Sequence, residues 1–286
     1  MSRGLSGNRS ATRRSRWRLI RDEPRDGATN MAIDEVLAAG CAQGCGFPSL
    51  RLYRWSVPTV SFGCNQRIQG QVDLTNCAQL GIPVVRRPTG GRALLHHHEL
   101  TYSVACPIPA GNRGVLQDYQ WISTCLLLAL RKLGVAAALS RGDRTGDEAG
   151  GVCFNSSSRY ELTVNGRKLI GSAQRRFKHT LLQQGSLLMD IDHAAWNALF
   201  PGARTLAVRA TALRLELGRP VSWKEVSEAI RAGFEEGVGV QLDADEITPQ
   251  EMEAAQALVD TRYRSTDWTL CRSHSAFRGA PVEPLD

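Results

Sequence analysis

The stretch from Tyr160 to Arg176 admits few folds. Tyr160, Leu162 and Val164 alternate with Glu161 and Thr163, the period of a half-buried strand. Asn165-Gly166 follows, a pair suited to a two-residue turn whose positions both need φ > 0. The chain then returns through Lys168, Leu169 and Ile170 into Gly171-Ser172-Ala173. This pattern predicts a β-hairpin. Just upstream, Cys153 stands in a short apolar segment, separated from the hairpin by Ser156, Ser157 and Ser158. A thiol and a lysine are therefore expected on neighbouring strands, with small residues beside them.

Around the hairpin, strands are expected at 17–22, 50–55, 59–62, 83–86, 99–106 and 181–189, the last divided at Gly185. Helices are expected at 30–39, ended by Gly40, and at 72–80 and 196–200. The strongest helical pattern runs from a capping Asp118 to Leu133, with Gly134 as its stop. Ser222-x-x-Glu225 and Thr248-Pro249-x-Glu251 read as capping boxes that open two more helices. Short strands with interspersed helices, then helices alone, give an α+β class with a mixed, mainly antiparallel central sheet flanked by helices. Residues 17–272 read as one domain whose C-terminal part, from about 215, is helical; 1–16 and 273–286 read as tails.

The net charge of +7 does not point to nucleic acid. Arg3, Arg9, Arg13, Arg14, Arg16, Arg18 and Arg21 precede the first acidic residue, Asp22, and by themselves match the excess. Residues 1–16 offer almost nothing to bury and read as a disordered basic tail. An Arg- and Ser-rich, acid-poor start is also the composition of a transit peptide. No apolar run approaches the roughly 18 residues of a membrane span. With no export signal, the 8 cysteines are expected to be reduced thiols in a cytoplasm.

Taken singly, the chemical candidates leave alternatives open. Cys153 is a nucleophile if a positive neighbour ionises it, or else a core cysteine. Lys168 can hold a reacting oxygen or move a proton, or else it is a solvated hairpin lysine. In Arg87-Pro-Thr89-Gly90-Gly91-Arg92 the glycines allow close backbone approach and the arginines suit anions, though neither phosphate-loop spacing is met. His96, His97 and His98 have no Cys or His partner at ligand spacing, so no metal is expected.

Together these stretches resemble one superfamily, the lipoate–protein ligases, biotin–protein ligases and octanoyltransferases. The resemblance rests on Arg86-Arg-Pro-Thr-Gly-Gly-Arg-Ala-Leu-Leu-His96, Glu99-Leu-Thr-Tyr-Ser-Val104, Cys153-Phe, Tyr160-Glu-Leu and Gly166-Arg-Lys-Leu-Ile-Gly-Ser-Ala-Gln174, in that order. Asn30-Met-Ala-Ile-Asp-Glu35 also fits, and the likeness spans roughly residues 17–270. Within the superfamily the pattern is most similar to the cysteine-dependent LipM-type octanoyltransferases.

That resemblance implies the ligase catalytic-domain fold and transfer of an octanoyl group in lipoate biosynthesis. The donor would be octanoyl-acyl carrier protein. The acceptor would be a lysine of a lipoyl domain, such as glycine-cleavage H protein. It puts the acyl-thioester cysteine at Cys153 and the family lysine at Lys168. Arg87, Thr89, Gly90, Gly91, Arg92, His96, Gly171, Ser172 and Ala173 would line the substrate channel. Neither ATP nor a metal is implied. One departure stands out: His97 occupies a place where the family commonly has Asp; if that Asp orients the loop, either this site is less well held than in its relatives or His98 or Glu99 substitutes. The rival readings are an ATP-dependent lipoate–protein ligase and a non-catalytic binder of acylated carrier or lipoyl proteins.

Overall fold

The computed structural model describes residues 16–44, 46–108, 114–141, 160–201 and 209–271. Cys153, most of both tails and the glycine- and charge-rich stretch before Cys153 lie outside the described residues.

The expected hairpin is present. β8 (Leu162–Val164) and β9 (Arg167–Arg176) pair antiparallel through Asn165 and Gly166, at φ 50° and 76°. The other strands are β1 (Trp17–Arg21), β2 (Ser49–Tyr53), β3 (Thr59–Phe62), β4 (Val84–Arg86), β5 (Leu94–His96), β6 (Glu99–Pro107), β7 (Ala138–Leu139), β10 (Thr180–Leu188) and β11 (Leu242–Asp245). Among the described residues they form an eight-stranded sheet in the order β11-β1-β2-β6-β10-β9-β8-β7 and a three-stranded sheet β4-β3-β5. The large sheet is antiparallel from β2 through β7, and β1 runs parallel to both its neighbours.

Helices α1 (Gly27–Gln43), α2 (Leu74–Gln79), α3 (Val115–Lys132), α4 (His193–Leu199), α5 (Leu213–Leu217), α6 (Trp223–Val238) and α7 (Pro249–Leu258) flank these sheets. Strand alternation sorts them into two layers. Leu19, Leu50, Val104 and Leu181 face α3 and α6, whereas Ile20, Ala105 and Leu182 face α1, α7 and the closing π-helical turns at Tyr263 and Trp268. The smaller sheet packs its Val60, Phe62 and Leu95 with Trp196 and Phe200. The C-terminal segment is built into the domain: α6 lies along α3, and β11 extends the large sheet beside β1.

Several boundaries differ from the sequence expectation. Helix α1 passes through Gly40 and stops at Gly44, which takes the left-handed φ of 75°. Helix α3 starts at Val115, because Gln117 Oε1 reaches back to accept from Gly114 N–H at 3.0 Å. Asp118 is therefore not the cap; it is buried and accepts from Arg176. Strand β10 runs unbroken through Gly185, where a Cβ would lie 2.3 Å from Tyr102 Cε1.

Two helix glycines separate propensity from packing. A Cβ on Gly233 of α6 would lie 2.5 Å from Cys125 O of α3, whereas one on Gly40 would meet nothing closer than 3.8 Å. Gly40→Ala is expected to stabilise by up to about 1 kcal/mol, and Gly233→Ala to destabilise by about 1–3 kcal/mol through overpacking. Urea unfolding of both variants checks the opposite signs.

Candidate active site

The glycine motif is shaped by arginines that turn inward. Arg86 is fully buried and donates to Gly63 O at 2.8 Å and Gln66 O at 2.9 Å. Its Nε reaches Trp268 O at 3.0 Å, which clasps the C-terminal turn to β4. Arg87 donates to Gly90 O at 2.6 Å, Arg92 O at 2.9 Å and Ser61 Oγ at 3.0 Å. The Arg87 guanidinium thus holds the loop's own carbonyls in place. Gly91 sits at φ 88°, and a Cβ there would lie 2.7 Å from Arg87 Nη2.

Across from this loop, β9 and β10 bring Gly171, Ser172, Ala173, Gln184, Gly185 and Ser186 to one cavity. Arg87, His96 and Ser61 form its other wall, with Met31, Tyr53, Trp55, Leu94 and Thr101 completing it. Thr89 donates to Gln184 Oε1 at 2.8 Å and so ties the loop to β10. Tyr102 and Ser172 share a hydrogen bond of 2.7 Å beside the cavity.

His96 is held on every side. Its ring stacks on Trp55 with centroids 3.9 Å apart. Nδ1 lies 2.6 Å from Glu99 Oε1, and Nε2 lies 2.7 Å from Ser61 Oγ. Glu99 is buried and also accepts from the hydroxyls of Thr101 and Ser186. Burial alone would push its carboxyl up. When His96 is protonated its charge, with the hydrogen bonds from His96, Ser186 and Thr101, outweighs that and holds the carboxyl below the usual carboxylate range. Glu99 therefore orients His96.

Lys168 is not a solvated hairpin lysine. It is 2% exposed, and its Nζ donates to Glu161 Oε1 at 2.6 Å. It stands on β9 outside the residues that line the cavity.

Of the residues expected at the site, Arg87, His96, Gly171, Ser172 and Ala173 line the cavity. Thr89, Gly90 and Gly91 build its loop, and Arg92 is half-buried beside them. Cys153 lies outside the described residues. Sequence reasoning missed Tyr53, Trp55, Ser61 and Gln184, which carry no signal of their own along the chain, and it did not assign Met31 or Thr101 to the site although both lie within the resembling stretches. Spacing also concealed that His97, His98 and Asp192 bring ligand atoms within 4.8 Å of one another. Of the cysteines, Cys41, Cys64, Cys77, Cys106 and Cys125 are buried, and Cys271 is exposed. Burial pushes the Cys77 thiol up to about 11 and the Cys125 thiol up to about 12. Both behave as small hydrophobes.

The description "Lipoyl protein ligase A/B catalytic domain" fits residues 26–235. The chain belongs to this family. Its relatives include octanoyltransferase LipM of Symbiobacterium thermophilum, 42% identical, covering 89% of this chain and 98% of that one. The LipM of Carboxydothermus hydrogenoformans is 41% identical, covering 88% and 97%. Among solved structures, a lipoate-protein ligase A bound with ATP superposes with a TM-score of 0.78 at 25% identity, covering 89% of this chain and 98% of that one. The bi-partite lipoate protein ligase of Thermoplasma acidophilum shares the fold with a TM-score of 0.75 at 23% identity, covering 89% and 96%.

Two outcomes follow from this geometry. Glu161→Ala leaves the buried Lys168 nitrogen without its carboxylate and is expected to cost about 3–5 kcal/mol; adding Lys168→Met is expected to recover part of it in a denaturant double-mutant cycle. Glu99, with its carboxyl held down in the fold, stabilises the protein above the unfolded carboxylate range, and that contribution fades as pH falls through the folded value. Glu99→Gln is therefore expected to flatten the acid limb of the stability–pH curve, measured by thermal unfolding.

Proposed function

We propose that this chain takes an octanoyl group from octanoyl-acyl carrier protein, carries it as a thioester on Cys153, and passes it to a lysine of a lipoyl domain such as that of glycine-cleavage H protein. Octanoyl acyltransfer in lipoate biosynthesis, the coarser statement, follows from the family and from LipM relatives 33% to 42% identical over nearly the whole chain. The observation that carries the finer reading is the cavity between the glycine loop and Gly171–Ala173. Arg87 of the first motif and Gly171, Ser172 and Ala173 of the second line it together.

The chemistry is thioester exchange followed by aminolysis. The Cys153 thiolate attacks the donor carbonyl, a C–S bond forms, and the carrier thiolate leaves. Exchange of one thioester for another is near thermoneutral, so neither ATP nor a metal is required. Burying the six methylenes of an octanoyl chain contributes about 5 kcal/mol at ~0.8 kcal/mol each. Leu94, Met31 and the small Gly171 and Ala173 of β9 suit such a chain. Lys168, paired with Glu161 and outside the residues that line the cavity, is on this proposal the cation that steadies the developing oxyanion at Cys153; one such donor is typically worth about 10²–10³ in rate. No helix among the described residues is long and apolar enough to cross a membrane, and a cytoplasmic site of action is part of the proposal.

Intact-protein mass spectrometry with octanoyl-acyl carrier protein, without ATP, tests this directly. The wild type is expected to gain one octanoyl increment, and Cys153→Ala none. An unmodified wild type that instead loads lipoate on a lipoyl domain with ATP would overturn the thioester route in favour of the ligase.

A further inference from the structure

The cavity contains a connected chain of proton-transferring groups that the acyl-carrying step does not use. Ser61 Oγ lies 2.7 Å from His96 Nε2, and His96 Nδ1 lies 2.6 Å from Glu99 Oε1. Ser61 stands on β3, His96 on β5 and Glu99 on β6, and both Ser61 and His96 line the cavity. Glu99 as a carboxylate can only accept, so Nδ1 carries the ring proton and Nε2 is left to accept from Ser61. Arg87 Nη1 donates to Ser61 Oγ at 3.0 Å, which turns the hydroxyl's single proton toward the imidazole. Trp55 clamps the assembly twice: its ring stacks on His96, and its Nε1 donates to Thr101 Oγ1 at 2.8 Å. Thr101 passes that restraint on to Glu99 Oε1 at 2.5 Å. This is the nucleophile–imidazole–carboxylate arrangement that is recognised by geometry and not by sequence position.

The reaction needs such a device in its second half. The attacking amine keeps an N–H proton that must leave as the amide forms. Of the ionisable side chains lining the cavity among the described residues, Arg87 is a permanent cation. Tyr53 is held well above the ordinary phenol range, first by burial and then by Asp34. Imidazole is the remaining type, and its ring nitrogen can take up a proton and hand it on.

We propose that Ser61, His96 and Glu99 form a proton relay that serves aminolysis of the acyl thioester; this rests on the acyl-transfer reading above. The acceptor lysine first sheds one proton to solvent. Its neutral nitrogen attacks the thioester carbonyl, forming the C–N bond. One of its two N–H protons passes to Ser61 Oγ as the Ser61 hydroxyl proton moves to His96 Nε2, and the other stays on the amide. The C–S bond breaks, and the imidazolium's proton returns through Ser61 to the departing sulfur, so a thioester and an amine become an amide and a thiol. Ser61 is the catalytic contact, His96 stores the proton, and Glu99 is the positioning residue that keeps the ring in the right tautomer.

The test compares two nucleophiles on pre-loaded protein. Wild type, His96→Gln and Ser61→Ala are each charged to completion with octanoyl-acyl carrier protein, and decay of the octanoyl adduct is followed by mass spectrometry. One arm adds a lipoyl-domain acceptor; the other adds hydroxylamine, which is unprotonated at neutral pH and a strong nucleophile without a base. In His96→Gln the ratio of lysine-driven to hydroxylamine-driven decay is expected to fall by about 10²-fold or more, and in Ser61→Ala in the same direction. An unchanged ratio in both, or equal slowing in both arms, overturns the relay and leaves a packing role. If His96→Gln fails to fold, Ser61→Ala decides alone. A wild type that takes up no octanoyl group overturns the transfer reading itself, and the relay with it.

Discussion

A buried carboxylate, that of Asp34, sets the geometry on which the site depends. It lies on α1 and is fully buried, so its oxygens must be satisfied from within the protein. Arg51 and Tyr53 of β2, Ser103 of β6 and Gln184 of β10 all donate to it, at 2.7–2.9 Å. These donors fix α1 against the middle of the large sheet and fix the three strands' side chains against one another. Gln184 then uses its other end to accept from Thr89 of the glycine loop. One charge thereby reaches from the helix layer, through the sheet, to the wall of the cavity.

The glycine loop shows how a motif's residue types can serve a different purpose from the one they suggest. Arginines flanking paired glycines suit an anion. Here Arg86 and Arg87 both turn inward and organise backbone carbonyls from β3, the loop and the C-terminal turn. A guanidinium offers several donors in a fixed planar fork, so one buried arginine can hold several carbonyls at once. The result is a loop held largely through its own backbone carbonyls.

Much of this was legible along the chain, for identifiable reasons. The hairpin at Asn165-Gly166 is a local event, because turn conformation and strand alternation need no distant partner. The Thr248-Pro249 capping box is likewise local, and the structure shows both of its reciprocal bonds. The failures are also physical. Gly40 reads as a helix stop, yet the helix continues because α1 is held by tertiary packing on both sides. Asp118 reads as a cap, yet it is drawn to Arg176, some 58 residues later in the chain. Gly185 reads as a break, yet it is the place where a strand must let Tyr102 lie flat against it.

The sequence by itself determined the α+β class, the hairpin that carries Lys168, the glycine loop, and the family resemblance that singled out Cys153. These depend on residue type and short spacing. Only the tertiary structure decided that Lys168 is buried against Glu161, that Glu99 stands against His96 Nδ1, and that Ser61 stands at hydrogen-bond distance from that ring. Ser61 and His96 are 35 residues apart and meet because β3 and β5 pair antiparallel. Contacts of that kind are set by strand register and packing, and no periodicity in either strand announces its partner.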